Sequence, residues 1–426
     1  MTRAASAPAR GPFLIALTGM VALAVAMGIG RFAFTPILPM MLHDGVVDLP
    51  TASWLASANY IGYLLGALLC AAGPWLAPRL PAAGMDGVLR ARAGLAATAV
   101  LTVAMALPVP TLWPLWRFAA GVASAVVLVY STGWCLGRLA AQGRSALGGL
   151  MFAGPGAGIV ASGLVAGGLV AADARASLAW LVFGALATVL SASVWTLLRA
   201  DAAPAMAAAT PDGPASSAAG SPDGPGSRKA IAPPVQIACF SLAYGLAGFG
   251  YIVTATFLPV IARAALPGSP ALDLFWPIFG AGAVAGALLS TRLRVGGDMR
   301  PAIAAAYAIQ ALGIFIGVVS PSEAGFALGS LLLGLPFTTI TFFAMQEARR
   351  LRPQRTASTI GLLTATYGIG QIVGPPLVAL LLERSHDPGT AFRLSLEIAA
   401  SALLLGAALY VLMRRLWPAL PASTPG

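Results

Sequence analysis

The chain has 426 residues, of which 58% are hydrophobic and only 9% are charged. A soluble domain carries about a quarter of charged residues, so this composition excludes a soluble fold of this size. The formal net charge is +11, but the basic residues lie in small groups between long apolar runs. That distribution is typical of the loops of a membrane protein and not of a nucleic-acid interface.

Apolar runs of about 20 residues, enough to span a bilayer, follow one another along the chain. They are continuous and lack the alternation of a transmembrane barrel, so they predict helices. The first six helices are predicted at 13–41, 54–76, 94–107, 112–136, 146–171 and 177–198. The second six are predicted at 235–261, 272–292, 302–319, 324–347, 358–382 and 391–413.

The segment 199–234 separates the two groups and is rich in Ala, Pro, Gly and Ser. Such a composition cannot bury enough apolar surface to offset the entropy of ordering it. We therefore expect a disordered cytoplasmic linker between an N-terminal six-helix bundle, residues 1–198, and a C-terminal six-helix bundle, residues 235–426. The predicted fold class is an all-α integral membrane protein.

The positions of the arginines predict the topology, because basic residues near span ends stay on the cytoplasmic side. With both termini and the linker in the cytoplasm, most basic residues fall there, including Arg79, Arg90, Arg92, Arg292, Arg294, Arg300, Arg349, Arg350, Arg352 and Arg355. The loops of the other side contain His43, Asp44, Asp48, Asp173, Glu323, His386 and Asp387. We expect a multi-pass protein with both ends inside.

An internal repeat relates the two groups of helices. Gly28-x-Gly30 with Leu38-Pro39 recurs 220 positions later as Gly248-x-Gly250 with Leu258-Pro259. Further matches pair Gly62 and Gly66 with Gly282 and Gly286, and Gly156-x-Gly158 with Gly368-x-Gly370. Small residues four apart are common in membrane helices, but several ordered matches indicate two homologous bundles with a cavity at their interface.

This organisation resembles the major facilitator superfamily over the whole chain apart from the linker. Arg117-Phe-Ala-Ala-Gly121 is similar to the family's Arg-x-x-x-Gly element, and Gly154-Pro155-x-x-Gly158 to its Gly-Pro element. The loop after the second helix departs from the pattern, because Asp86 is not followed by arginine, so the resemblance does not extend to an Asp-Arg latch. The segment Met27 to Met41 resembles the first helix of the YbfB/YjiJ-like subfamily.

The resemblance implies a monomeric secondary transporter of the bacterial inner membrane that moves a small organic solute by alternating access, with protons as a candidate coupling ion. We expect no cofactor, no metal site and no nucleic-acid partner. Efflux of a drug or a sugar is the alternative within the same fold. A membrane-embedded enzyme is a weaker alternative, because both histidines lie in loops and no hydrolase, metalloprotease or phosphate-loop motif occurs.

Two arginines are the first candidates for substrate binding or coupling, since an ionisable residue at membrane depth is costly. Arg31 lies about 10 residues, roughly 15 Å at 1.5 Å per residue, below the outer end of its helix. Arg117 lies in the outer part of the fourth helix. Because the spans of this half lack an acid, an anionic substrate group is the expected counter-ion of Arg31. For Arg117 we expect the hydrogen-bond partners to be backbone carbonyls of the first helix.

Acidic and neutral polar residues complete the candidates. Glu397 is the one acid well inside a span, and Arg393 four residues earlier predicts a structural ion pair on a peripheral helix. Asp273 and Glu347 are predicted to be interfacial anchors. The neutral candidates for substrate contact are Tyr251, Thr254, Thr338 and Gln371. The wider polar set, expected mostly to join helices, contains Asn59, Tyr60, Tyr63, Tyr130, Tyr244, Thr339, Thr341 and Tyr367.

Overall fold

The computed structural model describes residues 11–76, 86–144, 147–199, 232–269, 271–290, 292, 297–385 and 387–419. Within these ranges 12 helices are long and apolar enough to cross a membrane, and no strand occurs. The first six are α1 Pro12–His43, α2 Leu49–Leu76, α3 Gly87–Ala104, α4 Pro110–Ala141, α5 Gly148–Ala171 and α6 Ala176–Trp195. The second six are α7 Pro234–Ala265, α8 Leu272–Ser290, α9 Arg300–Val319, α10 Glu323–Leu351, α11 Thr356–Arg384 and α12 Pro388–Leu416.

All twelve helices of the sequence analysis are present, and the central part of the expected linker, 200–231, lies outside the described residues. The largest difference is at α3, which begins at Gly87 instead of residue 94. Asp86 caps this helix by accepting a hydrogen bond from the Val88 N–H at 3.4 Å. Arg90 and Arg92 therefore belong to the helix, and Arg92 extends to the carbonyl oxygen of Trp195 at 2.7 Å.

Equivalent helices pack together in each half, as the repeat requires. α1 packs on α5 as α7 packs on α11, and α2 packs on α4 as α8 packs on α10. The repeated glycines permit the closest of these approaches. A Cβ on Gly28 would lie 2.3 Å from the Cα of Gly158, and a Cβ on Gly248 would lie 2.3 Å from the carbonyl oxygen of Tyr367. Neither position therefore accepts a side chain without separating the helices.

The halves meet through three pairs of helices, α1 with α7, α2 with α11 and α5 with α8. We call the end of the bundle that carries Arg90, Arg92, Arg138 and Arg350 the arginine-rich end, and the end where α1 finishes the opposite end. Among the described residues, four side-chain hydrogen bonds join the halves; the one from Arg31 lies near the middle of the span, and the other three lie nearer the opposite end. The four bonds pair Arg31 with Gln371, Thr35 with Ala255, Ser57 with Ile372 and Tyr60 with Thr256.

The bond between Thr35 and Ala255 lies on the axis that relates the two halves. The two residues are 220 positions apart, which is the offset of the repeat, and Thr35 Oγ1 donates to the Ala255 carbonyl at 2.9 Å. In a regular helix that carbonyl accepts from the N–H of the residue four positions later, but here this residue is Pro259, which has no N–H. A proline in one half thus leaves an acceptor for the other.

A buried network of charges lies at the arginine-rich end of the C-terminal half. Arg300 is fully buried; its Nε and Nη2 donate to the two carboxylate oxygens of Asp298 at 2.7 and 2.8 Å, and its Nη1 donates to the Met413 carbonyl at 2.9 Å. Glu347, also fully buried, accepts from the Met299 N–H at 3.1 Å and from Arg350 Nε at 2.9 Å. The expectation that Glu347 is an interfacial anchor was wrong, because its carboxylate joins α10 to the start of α9.

Candidate functional site

Arg31 lies at an interruption in α1. The helix passes from Pro12–Leu23 through a π-helical segment, Ala24–Ile29, and a turn before it resumes as Phe34–His43. Pro36 has no N–H to offer the Phe32 carbonyl, which instead accepts from the Thr35 N–H at 3.2 Å. The carbonyl of Arg31 loses its usual helical partner in this way and is available to another group.

Arg117 of α4 uses the carbonyls that this interruption provides. Its Nη1 and Nη2 donate to the carbonyl oxygens of Gly30 and Arg31, both at 3.3 Å, and its guanidinium carbon lies 4.7 Å from the centre of the Phe34 ring. Arg117 is only 2% exposed. Its charge is thus compensated by backbone dipoles and a ring face, which assigns it to holding the interrupted helix.

Arg31 has different surroundings, although it is equally buried with 3% of its surface exposed. Its Nη2 donates to Gln371 Oε1 of α11 at 3.1 Å, and its Nε has no hydrogen-bond partner among the described residues. The guanidinium carbon lies 4.0 Å from the centre of the Tyr63 ring and 5.2 Å from that of Tyr60. No carboxylate of the described residues lies within ion-pair distance of it. The cation is therefore held by rings and a neutral amide.

A row of tyrosines continues from this cation into the C-terminal half. Gln371 Nε2 donates to the hydroxyl of Tyr251, and the Tyr251 ring stacks on Tyr367 with 5.8 Å between centres. Tyr367 stacks in turn on Tyr244 at 4.9 Å, and the Tyr244 hydroxyl donates to Thr341 at 3.1 Å. The row connects Arg31 with the part of α10 nearer the arginine-rich end. The groups next to the cation are the Gln371 amide and tyrosine side chains, all of them neutral.

Of the residues proposed from the sequence, the structure brings together Arg31, Arg117, Tyr251 and Gln371. Thr254 instead lines a cavity of about 20 Å³ inside the C-terminal half, with Leu258 and Ser330 among its neighbours. Thr338 donates to the Ala283 carbonyl of α8 at 3.5 Å. These two threonines lie on α7 and α10 faces that turn towards their own half, because helix rotation is set by packing.

Glu397 is also outside the site. Its side chain is 53% exposed on the outer face of α12 and lies 3.9 Å from Arg393. Two residues close to Arg31 that the sequence analysis did not single out are Phe32 and Thr35, both about one turn from Arg31 and both nearly fully buried. The role of Thr35 could have been predicted from the sequence. Pro39 and Pro259 occupy equivalent repeat positions, and each leaves one carbonyl of its helix without an N–H partner, and Thr35 donates to the carbonyl that Pro259 leaves free.

Two repeated six-helix halves that meet around a buried cation in the middle of the span define a membrane transport protein of the major facilitator type. The chain belongs to the family described as uncharacterised MFS-type transporter YbfB, whose model matches residues 23–411. The twelve-helix fold, the family and the absence of an enzymatic function, as expected from the sequence, are thereby confirmed.

Solved structures agree on the fold. The nucleoside transporter NupG superposes with a TM-score of 0.70 at 15% sequence identity, over 94% of this chain and 99% of that chain. This likeness concerns the fold alone. No curated protein sequence matches the chain.

Proposed function

We propose that the protein is a secondary transporter that moves a small anionic organic solute across the membrane, with the Arg31 guanidinium binding the anionic group. The observation that carries this proposal is the guanidinium itself. It is buried between the two halves, and the partners of its guanidinium, Gln371 and the tyrosines Tyr60 and Tyr63, are neutral. A cation in that position costs several kcal/mol unless a charge compensates it, and a carboxylate or phosphate is the partner that fits its planar fork.

Alternating access is the proposed mechanism. Its support is that three of the side-chain hydrogen bonds between the halves, those of Thr35, Ser57 and Tyr60, lie nearer the opposite end. Rocking of one half against the other would break these few bonds and expose Arg31 to that side, while the pairs of helices within each half stay packed. Proton coupling through Glu397 is not supported, because that carboxylate lies on the outer face of α12, away from Arg31.

The two six-helix bundles, residues 1–198 and 235–426, are proposed as the moving bodies, joined by the segment 199–234. We further propose that both termini and this segment lie in the cytoplasm and that the membrane is the inner membrane of a bacterium. The support is the concentration of arginines at one end of the bundle.

The test of the anionic substrate is a thermal-shift screen of the purified protein against organic acids, sugars, amino acids and amphipathic drugs, repeated with two Arg31 variants. Arg31→Gln removes the charge and is expected to weaken binding of the acids by about 100-fold or more. Arg31→Lys keeps the charge but loses the bidentate fork, so a loss of about tenfold is expected. Arg393→Gln removes an equal charge at an exposed position and should leave binding unchanged.

The same screen can contradict the proposal that Arg31 binds an anionic substrate. Stabilisation by sugars, nucleosides or other neutral solutes, undiminished in Arg31→Gln, would make Arg31 a structural residue. The hydroxyl and amide groups of Tyr251 and Gln371 would then be the principal substrate contacts, and the alternative of a sugar or drug transporter would hold.

A further inference from the structure

Five aromatic residues form a continuous cluster beside Arg31, which we call the aromatic box: Phe32, Tyr251, Trp276, Phe279 and Phe337. They come from α1, α7, α8 and α10, so both halves contribute. All five are buried, with exposures between 0% for Phe279 and 9% for Phe337. The Arg31 guanidinium carbon lies 5.3 Å from the centre of the Phe32 ring, so the cation borders the box directly.

The rings of the box are in mutual contact. Phe337 is central, with ring centres 6.0 Å from Phe32, 5.1 Å from Tyr251 and 5.6 Å from Phe279. Trp276 lies 6.2 Å from Phe32 and stacks on Phe279 at 5.1 Å with an angle of 8°. These distances fall in the range in which rings attract one another through their edges and faces. A planar ring entering the box would meet the same kind of neighbours.

Two interrupted helices meet at the box. α1 is interrupted next to Phe32, and α10 is interrupted between Glu323–Gly334 and Phe337–Leu351, where Pro336 provides no N–H. Transporters of this architecture place their substrates near the middle of the membrane, where helices are discontinuous. Both interruptions lie beside a ring of the box, Phe32 in α1 and Phe337 in α10.

The box contains one unused polar group. Trp276 is 1% exposed, and its indole Nε1–H has no hydrogen-bond partner among the described residues. A buried donor without an acceptor costs roughly 1–3 kcal/mol, so an acceptor supplied by a ligand would relieve it. Apart from that donor and the Tyr251 hydroxyl, the side chains of the box are hydrocarbon, which suits a ring far better than a polyhydroxylated body.

We infer that the aromatic box binds the ring of an aromatic carboxylic acid whose carboxylate pairs with Arg31. This inference rests on the proposed anion-binding role of Arg31 and adds the chemistry of the rest of the substrate. The guanidinium takes the carboxylate with two parallel hydrogen bonds. The ring lies against Phe32 and Phe337, and the indole N–H of Trp276 donates to an oxygen substituent on the ring.

The experiment measures binding of five named probes to the purified full-length protein by isothermal titration calorimetry and thermal shift. Benzoate and 4-hydroxybenzoate carry both a carboxylate and an aromatic ring. Cyclohexanecarboxylate has the same charge and a similar volume but no planar ring. Acetate has the charge alone, and benzamide has the ring without the charge. We expect benzoate to bind at least about fivefold more tightly than cyclohexanecarboxylate. Acetate and benzamide should bind at least about 100-fold more weakly than benzoate, acetate because the ring contacts are missing and benzamide because the ion pair is missing.

Three variants localise the effect. Phe337→Leu keeps an apolar side chain without a ring and should weaken benzoate by about threefold to tenfold, with little effect on cyclohexanecarboxylate. Phe257→Leu is the matched control, because Phe257 is fully buried on α7 and packs on Phe392, away from Arg31. We expect 4-hydroxybenzoate to bind more tightly than benzoate, because its hydroxyl oxygen would accept from the Trp276 indole N–H. Trp276→Phe keeps an aromatic side chain and should abolish only this preference, and an unchanged preference would contradict the role of Trp276.

Each result is decisive. No binding of the two aromatic acids, or equal binding of benzoate and cyclohexanecarboxylate, would overturn the aromatic box as a substrate site. If cyclohexanecarboxylate and acetate then still bind in an Arg31-dependent manner, the proposed anion transporter stands without it. If benzamide binds as tightly as benzoate and Arg31→Gln changes neither, the inference and the proposed function both fail. Equal effects of Phe337→Leu and Phe257→Leu would also reject the box, since both would then act through stability.

Discussion

Arg31 and Arg117 are two buried arginines of the same half, and the partners of their guanidinium groups separate their roles. Arg117 donates to two carbonyl oxygens released by the interruption of α1. Arg31 faces a neutral amide and three aromatic rings. Backbone carbonyls are permanent partners, whereas rings and an amide compensate a charge incompletely. The first arrangement is structural, and the second suits a ligand that comes and goes.

Replacing Arg117 by lysine tests this division. Lysine keeps the charge but cannot reach both carbonyls in a fixed fork, so we expect a loss of about 2 kcal/mol in stability, measured as a lower melting temperature in detergent. Arg92→Lys is the matched control, because Arg92 also donates to a carbonyl but is only half-buried and its bond is exposed, and its loss should stay below about 0.5 kcal/mol. Equal effects of the two substitutions would contradict a structural role for Arg117.

Prolines decide where the helices of this protein are interrupted and what the interruptions are used for. Pro36 leaves a carbonyl of α1 to Arg117, Pro259 leaves a carbonyl of α7 to Thr35, and Pro336 divides α10. In water such carbonyls would be hydrated, but in a bilayer they need partners within the protein. Each break therefore fixes a contact between elements that are far apart in the chain.

The start of α9 depends on the Asp298 carboxylate. Burial raises the pKa of Asp298, but hydrogen bonds from Arg300 and the charges of Arg300 and Arg350 outweigh it, so this pKa lies below its ordinary value of 3.8. Because the pKa of Asp298 is lower in the folded state than in the unfolded state, its ionised carboxylate stabilises the fold. This stabilisation is complete at pH values above the pKa of the unfolded state. That contribution disappears as the pH falls below about 3.8 through the folded-state value.

Asp298→Asn should therefore lower stability by about 3 kcal/mol at pH 7, since Arg300 keeps its buried charge without its partner. In the variant, the melting temperature should also fall less steeply at acidic pH, because the carboxylate of Asp298 is no longer there to be protonated. Asp387→Asn is the control, because Asp387 caps α12 at an exposed position and asparagine caps equally well. An Asp298→Asn protein as stable as the control at pH 7 would show that Glu347 and the Met413 carbonyl hold Arg300 sufficiently without Asp298.

At the scale of the whole molecule, the described residues show four side-chain hydrogen bonds between the halves, and the pair at equivalent repeat positions, Thr35 and Ala255, is the most informative. Cysteines at Thr35 and Ala255, in a chain whose own Cys70, Cys135 and Cys239 are replaced by alanine, are expected to form a disulfide on oxidation. Such a bond requires Cα atoms about 4.4–6.8 Å apart, so it forms only when the opposite end is closed. With a protease site inserted in the segment 199–234, the cut halves should migrate as one species after oxidation and as two after reduction. Two species under oxidising conditions would contradict closure at this end, and single cysteines serve as controls.

The orientation of the molecule is tested with the same inserted site. We expect cleavage of segment 199–234 in inside-out vesicles and protection in right-side-out vesicles, because the arginine-rich end faces the cytoplasm in our proposal. Cleavage from the outer face alone would reverse the orientation. A protease site placed between His43 and Leu49 should give the complementary pattern.

The fold was predictable because lipid leaves little choice. A chain with so few charges must cross the membrane as helices, and the repeated glycines mark where one helix must touch another. The position of Arg31 within its helix was also readable from the sequence, since a charged residue in an apolar run is conspicuous. These features depend on residues close together in the chain or on simple repetition.

The surroundings of those residues were decided only by the tertiary structure. Arg31 meets Gln371 across 340 positions of sequence, and nothing local to either residue specifies the other. Glu347 is buried because Arg300 and Arg350 converge on it from two helices, and Thr254 faces its own half because packing sets the rotation of α7. By itself the sequence determined the helices, their repeat and the presence of buried cations, whereas the partners of each charge followed from which helix faces meet, because a contact energy depends on geometry that no single segment contains.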